Sequence, residues 1–567
     1  MITHKHILCL VIILAAAIRI IYMFEYRFNS PFYDYILLDS EVYDTAARTI
    51  ASGEWIGAEP FYTAPLYPYL LAVIYKFLSD EHLLVYLFQT VLGFLNLGIL
   101  YFIGKKAFNK NTGLIAFIIA LLYPTFLFYE TKLMATTLAV FLSLLVLLWF
   151  MKVKNNPKRI YWMIGGVLLG LSLVNRPANL LFLGFILVWI WIGFSVAIKR
   201  KLIFTSFLIL GFCVSVGPVT LRNYLVSNDF VLVSSQGGIT FYQGNNPRAK
   251  GLYVSLSEFS GSPLTQGQEE KKLAEKALGR SLKRSEVIRY WSGKGIQFIL
   301  EDPLRYMKLE VMKVYRFLNN FEYSTEYNLS TEREYIKTLR LLFIPYAFII
   351  SFGLYGLLVS RQHWRKLTLL YFFLTANFLV MMLFFVSSRY RLPAVSILIP
   401  FAAFGISDMY ERLRGKAGLS RFALMILVLL FFLLSVSKID NAHKFQLGGG
   451  HYNLGNHFFD KKEYGQAIKE YKKNLEINPR SLSTLYNLGN TYSMSGRMDE
   501  ALDTYKEVVK IKSHFKKARL KMARIYEKKG KTTEAIREYR AFLEKQPDNK
   551  EAREALQRLQ GSMNNLN

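Results

Sequence analysis

Apolar runs long enough to cross a lipid bilayer recur along the chain as far as residue 437. A helix needs about 20 mostly apolar residues to cross the hydrocarbon core. This pattern predicts eleven membrane spans, at residues 7–24, 83–103, 113–130, 133–151, 160–175, 178–198, 202–220, 338–358, 367–386, 392–410 and 420–437. The chain is too apolar and too long for one soluble domain, so we predict a multi-pass membrane protein that is mostly α-helical.

The charge distribution predicts the orientation of these spans. Lys and Arg are concentrated in five short loops, at residues 104–111, 151–159, 198–201, 360–366 and 410–421. Positively charged short loops stay in the cytoplasm. The N-terminus is then cytoplasmic, and the loops 25–82 and 221–337 and the tail after residue 438 lie outside. The net charge of +29 fits contact with membrane lipids. It does not indicate nucleic acid, because no basic groove interleaved with aromatic residues is present.

The beginning of the chain and its cysteines exclude two other classes. No small-residue cleavage site follows the first apolar run and further spans come after it, so we expect a retained anchor rather than a cleaved signal peptide. The two cysteines, Cys9 and Cys213, lie inside predicted spans. A disulfide framework and a cysteine-based metal site are therefore not expected.

Residues 448–560 repeat with a period of 34, which is typical of tetratricopeptide helix pairs. The aligned positions are Leu454-Gly455, Ala467, Tyr471 and Pro479; Leu488-Gly489, Ala501, Tyr505 and Ser513; Met522-Ala523, Ala535, Tyr539 and Pro547. We predict a linker at 438–447, three repeats with a capping helix at 550–560, and a disordered tail at 561–567. The basic surface of this solenoid is either simply solvated or a groove for an acidic partner or an anionic membrane.

Acidic residues next to a span are functional candidates, because an unpaired charge near the hydrocarbon is costly. The first outer loop carries Asp39, Glu41 and Asp44 directly after the first span. The alternative is that these acids only complement a helix dipole. Glu130 and Lys132 stand at the next outer corner, where they could act in catalysis or form a salt bridge.

Basic and amide side chains supply candidates for substrate binding. Arg389 and Arg391 occupy a short outer corner, where two guanidinium groups suit a phosphate. Arg176 precedes a proline at another corner, where it either snorkels or faces a site. The pairs Arg222-Asn223 and Asn245-Asn246 open the long outer loop. A strand-like run follows Arg222-Asn223, so we expect a loop domain of mixed structure at 221–337. Asn245 and Asn246 either form a tight turn or bind sugar hydroxyls.

Several stretches together resemble a known family. They are LLDSEVYDTAARTIASGEW, PLYPYLL, YPTFLFYETKL, NRPANLL, LRNY, GNNP and SSRYRLP, in this order. They resemble polytopic C-type glycosyltransferases over residues 1–437, above all the bacterial branch similar to protein O-mannosyltransferases and lipid A aminoarabinose transferases (family 39-like). Several bacterial members carry a tetratricopeptide tail.

The resemblance implies a fold of about eleven transmembrane helices, followed here by an α-solenoid. It implies inverting transfer from a polyprenyl-phosphate sugar, outside the bacterial cytoplasmic membrane, to a hydroxyl of a glycan, lipid or protein. It implies no required cofactor, or only weak dependence on a divalent cation such as Mg²⁺ or Mn²⁺. Asp39 matches the family's catalytic base and Glu130 a second acid, while Glu41 is either a partner of Asp39 or a bystander.

The residues fit this chemistry. A carboxylate can take the proton that the acceptor hydroxyl loses as it attacks the anomeric carbon. Arg389, Arg391 and Lys132, with Tyr43 beside Asp39, could stabilise the departing lipid phosphate, and Arg222, Asn223, Asn245 and Asn246 could contact the sugar or acceptor. Two alternatives remain: a glycan ligase or polymerase with a long lipid-linked donor, and a non-catalytic scaffold that presents the repeats for polysaccharide assembly. A protein partner is expected on the repeat groove in each case.

Overall fold

The computed structural model describes residues 3–153, 158–254, 256, 259, 262–414, 419–438 and 442–564. The chain divides into two compact units, Met1–Lys438 and Ile439–Asn567. The described residues form helices and no strand, which confirms the predicted mostly α fold.

Six helical stretches among the described residues are long and apolar enough to cross a membrane. They are His4–Asn29, His82–Ala107, Thr136–Val153, Ile198–Ser227, Tyr346–Leu383 and Ser388–Arg414. Tyr346–Leu383 consists of the helices Tyr346–Val359 and Trp364–Leu383 with a short 3-10 turn between them. Shorter apolar helices are Leu66–Phe77, Lys110–Leu122, Arg159–Asn175, Pro177–Gly193 and Ala423–Val436. The membrane character is confirmed, and the number of eleven spans stays a prediction.

Glycines let neighbouring membrane helices approach closely. Helix Arg159–Asn175 packs along helix Ile198–Ser227. A Cβ atom on Gly166 would lie 2.0 Å from the carbonyl oxygen of Leu208, and one on Gly211 would lie 2.0 Å from that of Met163. Small residues at such contacts are typical of helix association in membranes, where van der Waals packing replaces the hydrophobic effect.

The outer segments of the first unit are helical as well. Between the first two membrane helices lie Asp39–Ala51 and Leu66–Phe77, and Pro124–Tyr129 follows Lys110–Leu122. The long loop after Ser227 contains Gly237–Gly244, Pro263–Leu278, Arg284–Glu301, Pro303–Leu318, Leu329–Glu332 and Lys337–Leu341. Its small core is formed by Ile239, Leu256, Ala274, Leu282, Val287 and Trp291.

The strand-like run predicted after Arg222 forms no strand within the described part of this loop, so the prediction of a mixed loop domain is wrong. The reason lies in one side chain. The Nδ2 of Asn223 donates to the carbonyl oxygens of Val231 and Val233, both at 3.0 Å. A buried amide therefore satisfies backbone groups that a β-ladder would otherwise pair.

The second unit consists of antiparallel helix pairs and a final helix. The helices are Ala442–Asp460, Tyr464–Ile477, Leu482–Met494, Met498–Ile511, Lys516–Lys528, Thr532–Leu543 and Lys550–Asn564. The first begins inside the predicted linker, and the last extends into the predicted tail as far as Asn564. A Cβ on Gly489 would lie 2.6 Å from the ring of Tyr505, so the small residue of each repeat makes room for a tyrosine of the paired helix.

Candidate active site

The backbone around Asp39 adopts an unusual conformation. Helix Asp39–Ala51 begins at Asp39, and the preceding residue, Leu38, has φ of +43° and ψ of −106°. A bulky residue without glycine's freedom rarely adopts positive φ, and such strain persists only where the surroundings enforce it. Contacts from other parts of the fold must therefore hold this turn, and the turn in turn positions Asp39.

Tyr327 provides those contacts from the far outer loop. The backbone N–H of Leu37 donates to the Tyr327 hydroxyl at 2.9 Å, and that hydroxyl donates to Oγ of Ser40 at 3.1 Å. Tyr327 is 4% exposed, so neither hydrogen bond is shared with bulk water. One buried oxygen atom thus holds the chain on both sides of Leu38 and Asp39.

Asp39 lies in a group of three charged side chains around Arg389. The Nη1 of Arg389 is 2.7 Å from Oδ2 of Asp39 and 2.9 Å from Oε1 of Glu326. The Asp39 side chain is 29% exposed, whereas that of Glu326 is only 3% exposed. Burial, and then the negative charge of Asp39, raise the pKa of Glu326 well above its ordinary value. The buried carboxyl of Glu326 therefore holds its proton more firmly than an exposed glutamate would.

Sequence reasoning missed Glu326. It lies in the loop after Pro303–Leu318, well away from any predicted span, so the argument about acids beside the membrane did not select it. The stretch STEYNLSTE at 324–332 does contain two acids close together, and this was the available signal. Arg19, in the middle of the first apolar run, was missed although a charge at that depth is rare.

Two cavities meet at Asp39. The first encloses about 1050 Å³ and the second about 850 Å³, both including space open to solvent. We call them the first and the second cavity. Five residues line both, namely Asp39, Gln236, Thr240, Arg389 and Tyr390. A group bound in either cavity can therefore contact the Asp39 carboxylate.

The first cavity combines apolar walls with cationic groups. Its apolar lining includes Met134, Ala139, Val380 and Phe384. The ring of Tyr390 lies between two guanidinium groups, 5.3 Å from that of Arg176 and 4.9 Å from that of Arg389.

Some polar groups of the first cavity have no hydrogen-bond or ion-pair partner within the described residues. Arg176 donates to the carbonyl oxygen of Tyr390 at 3.3 Å and forms no ion pair within the described residues. In that same part of the chain, the buried Nε of Arg389 and Oδ1 of Asn175 have no hydrogen-bond partner. Tyr43 lines this cavity too. The cavity thus combines an apolar lining with one unused donor, one unused acceptor and a cation that has no ion-pair partner among the described residues.

The structure does not place Arg391 and Lys132 in either cavity. Arg391 is 1% exposed, donates to the carbonyl oxygen of Asn319 at 2.6 Å and pairs with Glu322 at 3.0 Å. Lys132 pairs with Glu332 at 2.8 Å, with both side chains fully buried. Both cations are paired with groups of the protein itself, so neither is positioned to bind a lipid phosphate.

Glu130 and Glu41 also lie away from the cavities. Glu130 is buried and pairs with Arg19 at 2.6 Å. It fills the space beside Gly93, where a Cβ atom would lie 2.0 Å from its Oε1. Glu41 is exposed on the outer face of its helix, because two residues of helix rotate it away from Asp39. The structure therefore brings only one of the three predicted acids to the junction of the cavities.

The predicted sugar-binding residues serve the packing of the outer loop instead. Arg222 donates to the carbonyl oxygen of Glu59 at 2.6 Å and stacks on Phe61 at 4.0 Å. Asn223 holds the segment after its own helix, as described above. Asn245 donates to the carbonyl oxygen of Leu383 at 2.7 Å, and Asn246 to that of Tyr242 at 2.9 Å. These groups line neither cavity, since buried amides satisfy backbone atoms first.

No group of three or more His, Cys, Asp or Glu side chains in the described part of the chain is arranged to hold a metal ion. The two carboxylates that line the second cavity within the described residues, Asp39 and Glu326, share Arg389. A guanidinium group thus occupies the position between the two acids.

Comparison with known families agrees with the fold of both units. Residues 62–219 match the family model described as dolichyl-phosphate-mannose-protein mannosyltransferase. Residues 449–513 and 494–559 match two tetratricopeptide repeat models. The first match includes Arg176 and ends before Arg389; Asp39 precedes it. No curated protein matches the chain significantly.

Solved structures give weaker similarities. The apo oligosaccharyltransferase of Archaeoglobus fulgidus has 15% identity and a TM-score of 0.42, over 75% of this chain and 54% of that one. ArnT of Cupriavidus metallidurans bound to undecaprenyl phosphate has 12% identity and a TM-score of 0.33, over 79% of this chain and 87% of that one. The chain thus spans about half the length of the archaeal protein. The family models confirm the predicted resemblance to polytopic C-type glycosyltransferases that carry C-terminal tetratricopeptide repeats.

Proposed function

We propose that this membrane glycosyltransferase moves one sugar from a polyprenyl-phosphate donor to an acceptor hydroxyl, on the extracytoplasmic side, with inversion. The observation that carries the proposal is the position of Asp39 at the junction of two cavities beside Arg389. The family model matched by residues 62–219 describes transfer from a lipid-phosphate sugar, which supports the same donor class.

The first cavity suits the donor. Its apolar wall suits the first isoprene units of the lipid, and Arg176 and the free Nε of Arg389 suit the phosphate. Positive charge placed before the reaction stabilises the phosphate as negative charge develops on it, because these groups need not reorganise. The phosphate departs without being protonated, so no acid is needed on the donor side.

The second cavity suits the acceptor, with Asp39 as the general base. The acceptor hydroxyl attacks the anomeric carbon from the face opposite the lipid phosphate, and its proton goes to the carboxylate of Asp39. A new bond forms between the acceptor oxygen and the anomeric carbon while the bond to the phosphate oxygen breaks, which inverts that carbon. Arg389 holds the Asp39 carboxylate in place through an ion pair of 2.7 Å. Burial raises the pKa of Glu326, so this second partner of Arg389 favours its neutral form, which adds no further negative charge.

The repeat unit suits a protein partner. Tetratricopeptide solenoids present an extended surface made of stacked helix pairs, and residues 449–559 carry such repeats. We propose that they recruit either the acceptor or a protein of envelope assembly to the membrane unit.

The test compares Asp39→Asn with Glu41→Gln, an exposed acid two residues away on the same helix. Transfer of radiolabelled sugar from polyprenyl-phosphate sugars extracted from bacterial membranes is measured on purified protein with a membrane extract as acceptor. We expect Asp39→Asn to lower the rate by about 10²- to 10⁴-fold, the contribution typical of a general base. Glu41→Gln should retain the wild-type rate.

Full transfer by a folded Asp39→Asn variant would refute the proposal. Loss of transfer in Glu41→Gln alone would move the base to Glu41. Thermal unfolding of both variants is followed in parallel, because Asp39 also pairs with Arg389 and a loss of folding has to be separated from a loss of chemistry.

A further inference from the structure

The second cavity is lined by neutral hydrogen-bonding groups. Three are primary amides, those of Gln236, Gln243 and Gln266, and five are hydroxyls, those of Thr240, Tyr253, Ser262, Thr325 and Tyr390. A primary amide offers two donor hydrogens and one acceptor oxygen. This combination matches neighbouring sugar hydroxyls, each of which both donates and accepts.

Part of this capacity is unused. The Nε2 of Gln266 is shielded from water and has no hydrogen-bond partner among the described residues. An unpaired buried amide is unfavourable because it has lost its hydrogen bonds to water, and a ligand that accepts a hydrogen bond from it would restore one of them. Gln243 is 3% exposed and makes only a long contact of 3.4 Å to the hydroxyl of Tyr253. Two of the three amides are thus poorly satisfied by the protein.

The charges of the second cavity cancel nearly completely. Its charged groups within the described lining are Asp39, Glu326 and Arg389, and these three contact one another. Because burial raises the pKa of Glu326, its neutral form is favoured, and the ion pair of Asp39 with Arg389 then leaves no excess charge. No further cation of the described lining is available for a phosphate or carboxylate on the acceptor, so an anionic acceptor would lose its hydration without a partner.

Aromatic rings supply the apolar part of the second cavity. Phe385 lies 5.6 Å from Tyr253 and 5.5 Å from Tyr390, measured between ring centroids. These tilted rings offer flat apolar surface beside the amides, which suits the C–H faces of a pyranose. An extended peptide could not bind here by adding a strand to a sheet edge, which is one common mode of peptide recognition, because the described residues form no strand.

We propose that the acceptor is an uncharged carbohydrate, seated in the second cavity by Gln236, Gln243 and Gln266, with one hydroxyl directed at Asp39. This inference rests on the proposed function for the role of Asp39. It extends that function by assigning the acceptor class, and a peptide or a phosphorylated glycolipid would be an equally valid acceptor for the proposed chemistry.

The test measures acceptor binding without any donor. Saturation-transfer difference NMR is recorded on the full chain in lipid nanodiscs. The probes are neutral oligomers of glucose, mannose, galactose and N-acetylglucosamine, a Ser- and Thr-containing peptide, and a glucosamine disaccharide bisphosphate. We expect saturation transfer to at least one neutral series and none to the peptide or the bisphosphate.

The matched variants are Gln266→Leu and Gln268→Leu, which lie on the same helix, with Gln268 exposed to solvent. We expect Gln266→Leu to weaken binding of the neutral oligomer about 5- to 10-fold, as for the loss of one hydrogen bond. Gln268→Leu should bind as the wild type does.

Three results would overturn the inference: binding of no neutral series, preference for the peptide or the bisphosphate, or equal binding by both variants. The donor-dependent transfer assay with Asp39→Asn is independent of these results. If that assay succeeds while the NMR experiment fails, the acceptor class is wrong and the proposed function stands. If Asp39 is dispensable for transfer, the proposed function itself fails.

Discussion

Replacing Tyr327 by phenylalanine removes a single oxygen atom from the loop that faces Asp39. The ring, with its contacts to Phe32 and Lys132, stays in place. The variant loses the hydrogen bond from the Leu37 N–H and the hydrogen bond to Ser40. It is therefore a specific perturbation of the turn that carries the proposed base.

The expected magnitude follows from two opposing energies. Strained backbone such as that of Leu38 costs about 1–3 kcal/mol, and two hydrogen bonds contribute about 1 kcal/mol each. Without them the strained turn loses about 2 kcal/mol relative to a relaxed turn. Asp39 would then be in place in a minority of molecules. Because 1.36 kcal/mol corresponds to tenfold in rate, kcat should fall by up to about 30-fold, with the KM for donor little changed.

The assay is sugar transfer under saturating donor, with thermal unfolding measured on the same preparations. Tyr346→Phe is the matched control, since Tyr346 is equally buried and its hydroxyl donates to the carbonyl oxygen of Phe317 at 2.9 Å, away from the Asp39 turn. Both variants should lose stability, but only Tyr327→Phe should lose kcat. Equal rates in the two variants would show that the turn holds Asp39 without Tyr327.

Two further predictions concern charge. Arg176→Gln should raise the KM for the lipid donor about 10- to 100-fold, as for a lost charged hydrogen bond. Arg391→Gln should instead lower the yield of folded protein. Donor titrations that leave the KM of Arg176→Gln unchanged would contradict the assignment of Arg176 to the phosphate. Burial raises the pKa of Glu270 to about 8, an effect that Arg284 and Tyr62 only partly offset. Between about pH 4.5 and 8 the folded state then holds a proton that the unfolded state has lost, so stability falls as pH rises through this window. Unfolding temperatures measured by intrinsic fluorescence from pH 5 to 8 should decline less for Glu270→Gln than for the wild type, and parallel curves would refute the raised pKa.

Local sequence signals were sufficient for the architecture. The apolar runs, the 34-residue period and the small residues opposite tyrosines act over one helix or one helix pair, so their meaning does not depend on distant parts of the chain. The same holds for Asp39, whose position directly after the first span made it a candidate. The structure of the long outer loop was harder to predict, because the buried amide of Asn223 binds the backbone of the strand-like run that follows it.

Local sequence patterns could not decide which of several similar charged residues would line the cavities. Arg389 and Arg391 are two residues apart on one helix. Arg389 lines both cavities, whereas Arg391 is paired with Glu322 and backbone carbonyl oxygens. Asp39 and Glu41 differ in the same way. A separation of two residues turns a side chain by about 200° around a helix, so the partner on each face, which comes from elsewhere in the chain, decides the role.

The sequence by itself determined the helical membrane unit, the repeat unit and the candidate base Asp39, because hydrophobic length, periodicity and the cost of charge beside a membrane are properties of short segments. Only the tertiary structure decided which charges meet. Glu326 and Arg389 reach Asp39 across 287 and 350 positions of chain, and Tyr327 holds the turn across a similar separation. Such contacts depend on how helices pack in three dimensions, and a charge acts as a base, a phosphate ligand or a buried structural pair according to the neighbour that packing supplies.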